Sequence, residues 1–154
     1  MLNPRKTNIA LDANALDRNG SERDAFVERF TALVVSGTLT VVVPGGVRSE
    51  IQHPHTPSDV QDAVLPQIFN WRPGLNAAQQ EERRRVAVIL QSNAKLERHA
   101  ADASHVSEAA ETGCAYFITE DARILGKRAE LGRALPPTLE IVTLMEFFKA
   151  FDRA

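Results

Sequence analysis

Asp12, Glu50, Asp102 and Asp121 each stand beside an apolar segment, in NIALDANAL, VVVPGGVRSEI, RHAADASHVSEAA and AYFITEDARIL. Carboxylates next to the most hydrophobic runs of a chain are costly unless something positive neutralises them, and a divalent cation does so with oxygen ligands alone. Magnesium or manganese suits the set, because these ions keep several waters and need few carboxylates. The absence of any thiolate or required histidine disfavours zinc. The matching chemistry is phosphodiester hydrolysis, in which a water must be activated and charge relieved on the phosphoryl and leaving oxygens. Each acid alone has a plain structural use: Asp12 in a turn, Asp102 and Asp121 at helix starts, Glu50 on a solvated helix face. Their joint recurrence beside apolar segments is what favours chemistry.

The elements that must position these acids alternate. Residues 8–11 read as a short buried strand that breaks at Asp12. Ser21 and Asp24 resemble a capping box before Phe26, Phe30, Leu33 and Val34, which recur at helical spacing up to Gly37. The β-branched run 38–43 predicts a strand closed by Pro44-Gly45-Gly46, followed by a short helix over 47–52 that carries Glu50. Helices are expected over 59–71, broken by Pro66, over 76–95, and over 97–112, the last stopping at Gly113. Residues 114–118 read as a strand, 121–131 as a helix and 139–142 as a strand, and Thr143 with Glu146 opens a final helix. Strands alternating with helices predict one α/β domain over residues 1–154 with a mainly parallel sheet, whose site lies outside the carboxyl ends of the strands. Residues 52–80, with four prolines, read as an elaborated helical and loop segment within it.

Composition narrows the alternatives. A chain of 154 residues that is 44% hydrophobic and 25% charged is ordinary for one globular domain. The net charge of −2 gives no global case for nucleic acid, so any such binding needs a local patch. Arg123, Lys127 and Arg128, beside Asp121, are the first choice for holding an RNA backbone. Arg83, Arg84 and Arg85 follow two glutamates and read as a solvated helix face with i,i+4 pairing. His53 and His55 lack the further ligands that zinc needs, and Trp71 reads as packing. His105, three residues after Asp102 and so on the same helix face, reads as a packing or surface residue, with lining the site or touching a phosphate as the alternative. Cys114 is the single cysteine and reads as a small buried hydrophobe. No apolar run reaches the ~18 residues of a membrane span and MLNPRKTN lacks a signal-peptide core, so a cytoplasmic location without membrane contact is expected.

The opening LDAN with Asp12 and Asn14, Glu50 on the helix after the second strand, Asp102 leading to Gly113, and FITEDARIL together resemble the PIN-domain nuclease pattern. The ending EIVTLMEF is similar to the last strand and helix of the VapC-type toxins of that family. The resemblance covers nearly the whole chain. It implies a three-layer α/β/α sandwich and metal-dependent endoribonuclease activity with magnesium or manganese. It also implies a homodimer and, for toxin members of type II toxin–antitoxin pairs, a cognate antitoxin. Carried over by position, Asp12, Glu50, Asp102 and Asp121 are the catalytic and metal-binding acids, Asn14 supports Asp12, and Thr119 is the small polar residue of the family's T-x-D pattern. Glu120 stands where the family often has Asn or Asp, and reads as either a fifth acid or a solvent-facing residue.

Two other classes compete. One is a metal-dependent phosphatase or phosphoacceptor domain using Asp12. A haloacid-dehalogenase-type phosphatase needs a second Asp where this chain has Asn14, and the paired acids and late lysine of a receiver are not evident. The other is a non-catalytic module that keeps the fold and binds RNA or protein.

Overall fold

The computed structural model describes residues 3–12, 14–17, 20–42, 77–91 and 100–154. A 3-10 turn, Pro4–Lys6, capped by the Asn3 side chain, leads into β1 (Asn8–Leu11). There follow α1 (Arg23–Val35), β2 (Thr40–Val42), α2 (Ala77–Gln91) and α3 (Ala100–Glu111). The chain continues through β3 (Tyr116–Ile118), α4 (Ala122–Gly126), α5 (Arg128–Ala134), β4 (Glu140–Val142) and α6 (Leu144–Arg153). The described strands form one sheet in the order β2-β1-β3-β4, and every pairing is parallel.

The strands alternate their side chains between two apolar clusters. Ile9, Leu11, Val41, Tyr116, Ile118 and Val142 point into one, with Val27, Phe30 and Val34 of α1 and Phe147, Phe148 and Phe151 of α6. Ala10, Val42, Phe117 and Ile141 point into the other, with Val86 and Leu90 of α2, Val106 and Ala109 of α3, Ile124 and Leu131. A parallel sheet buried on both faces needs such continuous apolar strands. The result is an α/β domain compatible with three α/β/α layers, as expected from the alternation. Among the described residues, no helix is long and apolar enough to cross a membrane.

Several boundaries have local causes. Gly113 ends α3 with φ 72°, and Cys114 N–H turns back to Ala109 O at 3.1 Å. That bond takes the donor Cys114 would give a ladder, so the strand expected from residue 114 begins at Tyr116. The single helix expected over 121–131 is two, α4 and α5, divided at Lys127 (φ −104°, ψ 9°), and the second runs on to Ala134. The capping box expected at Ser21 is displaced: Ser21 Oγ accepts from Arg23 N–H at 3.3 Å, while Asp24 Oδ2 takes Gly20 N–H at 2.9 Å. The box at Thr143 and Glu146 forms as expected, with both reciprocal bonds. Helices expected over 47–52 and 59–71, the H-x-H pair, Trp71 and most of the 52–80 segment lie outside the described residues.

Candidate functional site

Strand order 2-1-3-4 means that the chain leaves β1 for one neighbour and later adds β3 on the other side. Such a switch point, at the carboxyl ends of the strands, is where open α/β sheets place their ligands. Leu11 pairs in register with Ile118, so the next residues, Asp12 and Thr119, emerge side by side there. The ladder carries on past the strands: Asp12 N–H donates to Ile118 O at 2.9 Å and Thr119 N–H to Val142 O at 3.0 Å.

The two ends are joined through one hydroxyl. Thr119 Oγ1 donates to Asp12 Oδ2 at 2.7 Å, and Asp121 N–H donates to Thr119 Oγ1 at 3.0 Å. Thr119 is fully buried and Asp12 is 5% exposed. Spending the hydroxyl's single proton on Asp12 orients that carboxylate and leaves the oxygen's lone pair to hold Asp121. Asp121 is the N-cap of α4, its Oδ1 accepting from Arg123 N–H at 2.8 Å and Ile124 N–H at 3.4 Å. Its Oδ2 receives no protein hydrogen bond among the described residues. The structural use foreseen for Asp121 and the placement foreseen for a metal acid therefore coincide on one side chain.

His105 packs against this group, so the packing role expected of it is met and the surface role is not. It is 1% exposed, and its Nδ1 lies 3.6 Å from Asp12 Oδ1. The signal was its helical spacing from Asp102. Asp102 itself lies on α3, but its side chain is outside the described residues, as is Glu50 altogether. Asn14, expected beside Asp12, engages the turn after β3. Its Oδ1 accepts from Glu120 N–H at 3.2 Å, bridging the loop after β1 to the turn after β3.

Glu120, read as either a fifth acid or a solvent-facing residue, has one carboxylate oxygen engaged by protein. Its Oε1 accepts from Leu144 N–H at 3.1 Å, satisfying an orphan donor at the start of α6, and lies 3.2 Å from Arg23 Nε. The Arg23 contact is a charge pair without hydrogen-bond alignment. Asp17 is the acid that the sequence reading passed over. It is exposed by surface area, yet enough protein surrounds it that burial pushes its carboxyl pKa up; Arg23 opposes this and the charge of Asp12 adds to it.

The basic residues proposed for RNA all have protein partners. Arg123 reaches Leu90 O at 3.4 Å, Lys127 pairs with Glu130 at 3.5 Å, and Arg128 donates to both oxygens of Glu146 at 2.9 and 3.0 Å. Arg84 pairs locally with Glu81, but Arg83 departs from the solvated face expected. It makes two 2.7 Å bonds to Glu111 on the neighbouring helix.

Among the described residues, no three His, Cys, Asp or Glu side chains converge closely enough to hold a metal ion. The donors that are described fit a hard cation: oriented carboxylate oxygens of Asp12 and Asp121 at one sheet edge, with no thiolate. No protein-family model matches this chain, no curated protein matches it, and no solved structure matches it.

Proposed function

We propose that this chain is a divalent-metal-dependent endoribonuclease of PIN type that hydrolyses RNA phosphodiester bonds. We propose further that it serves in the cytoplasm as the toxin of a type II toxin–antitoxin pair, as a homodimer held in check by a cognate antitoxin. The observation that carries the reading is the Asp12–Thr119–Asp121 link at the switch point of the sheet. It supports two acids from adjacent strand ends acting as one unit, where a nuclease of this kind needs them. Glu50 and Asp102 are the other two acids of the set.

Asp12, Asp121, Asp102 and Glu50 would hold magnesium or manganese, which when bound supplies charge relief at the scissile phosphate and a more acidic water. The chain's own residues do the rest. Thr119 keeps Asp12 in one orientation, and the cap holds Asp121 Oδ1 against α4 while its Oδ2 takes no hydrogen bond among the described residues. His105, beside Asp12 Oδ1, would line the site. Arg123, Lys127 and Arg128 follow on the adjoining helices and would have to exchange their present partners for phosphate.

The phosphoacceptor reading of Asp12 has less support. No specific observation favours it, whereas the Thr119 bridge pairs Asp12 with a second acid, as a shared metal would use them. Induced expression in a bacterial host tests the proposal. Growth arrest with breakdown of total RNA is expected for the wild type and not for Asp12→Asn at equal expression. Equal growth and intact RNA in both cultures would count against it.

A further inference from the structure

The loop after β1 and the turn after β3 lie beyond the sheet, so the strand ladder alone cannot fix their relative position. One side chain holds both. Arg23, the first residue of α1 and only 11% exposed, donates from its guanidinium to the carbonyls of Asn14 (3.2 Å), Ala15 and Asp17. Its Nε faces Glu120 Oε1, the same oxygen that takes Leu144 N–H at the start of α6. Asn14, bound from below by Arg23 through its carbonyl, completes the circuit by accepting Glu120 N–H on its side-chain oxygen.

We propose that Arg23 is a positioning residue for the candidate site, fastening the loop that carries Asp12 to the turn that carries Thr119 and Asp121 by way of Glu120. The inference rests on the metal-dependent reading above. The chemistry favours arginine specifically. Three carbonyls and a carboxylate spread around one group require several donors in a fixed planar fork, which lysine's compact ammonium lacks. Glu120, shared between Arg23 and the α6 cap, makes the clasp a junction of α1, the β3 turn and α6. A change in any one of them is felt at Asp12 and Asp121.

Manganese binding by the purified chain, followed by titration calorimetry in parallel with circular dichroism, tests this. Residues that orient metal ligands without touching the metal commonly alter affinity about 10–100-fold. Arg23→Ala is expected to raise the half-saturating manganese concentration at least about tenfold with helix content unchanged, and Arg23→Lys to recover part of that loss. Glu120→Gln keeps an acceptor for Leu144 N–H and removes only the charge facing Arg23. It is expected to weaken binding in the same direction, and it decides the matter if Arg23→Ala does not fold. Manganese binding unchanged in folded Arg23→Ala, or in Glu120→Gln, overturns the positioning role while leaving the nuclease reading intact. A wild-type chain that takes up no manganese overturns both.

Discussion

Thr119 uses one hydroxyl for two functions, donating to Asp12 and accepting from the backbone of Asp121, and so links the two acids directly. Thr119→Val keeps the shape but leaves a buried carboxylate oxygen and an N–H without their partner. Unfolding by urea should show a loss of about 1–3 kcal/mol, and Thr119→Ser should restore most of it. Asp17 gives a pH-dependent counterpart. Its carboxyl pKa is raised, by burial first, against Arg23 and with Asp12. Ionising it therefore opposes folding: the cost is absent below its unfolded pKa and grows as pH rises through the folded one. Asp17→Asn is expected to melt higher than wild type at neutral pH and to converge with it in acid. A melting-temperature series across pH reads both ends. Asp12 and Asp121 were recognisable in the sequence because each lies just past an apolar run, and Thr119 only through the resemblance to the T-x-D pattern. The link between Arg23 and Glu120 stayed hidden because an arginine beside acids at a helix start looks solvated, and only the folded loop shows which carbonyls and which carboxylate it meets.

At the scale of elements, α6 shows how much a short pattern can specify. Thr143 and Glu146 form the reciprocal box their spacing implies, and Arg128 adds a second hold on Glu146. Burial works to raise the Glu146 carboxyl pKa, but the Thr143 backbone N–H and Arg128 outweigh it and bring it below the ordinary range. That contribution is fully present above the unfolded pKa and disappears as pH falls through the lowered one. Thr143→Ala should cost about 1 kcal/mol, or about 2–4 °C in a domain of this size. The pattern was legible because a cap is set by residues three apart. The division of α4 from α5 at Lys127 was not: Gly126, the last residue of α4, stands beside it, but one glycine in an otherwise helix-prone stretch does not by itself end a helix. The inter-helix bond from Arg83 to Glu111 was equally out of reach, because its partners are 28 residues apart and meet only when α2 packs on α3.

For the whole molecule, one face of the sheet rests on an aromatic cluster. Phe147 is fully buried, edge-on to Tyr116, Phe30 and Phe148. Phe147→Ala should destabilise by about 3–5 kcal/mol, enough to threaten the domain, and denaturant titration measures it. Alternating strand and helix signals sufficed to anticipate an α/β domain and its parallel sheet. The order β2-β1-β3-β4, which makes the space beyond Asp12 and Thr119 a switch point, depends on long-range pairing that no local pattern encodes. Whether these strand ends form a metal-dependent ribonuclease site is decided by incubating a labelled RNA with purified wild-type chain and with Asp12→Asn of equal helix content, each in magnesium and in EDTA. Internal cleavage is expected from the wild type in magnesium alone, with a sharp reduction in Asp12→Asn. Cleavage that persists in EDTA, or that is undiminished in Asp12→Asn, would contradict the metal-dependent ribonuclease reading.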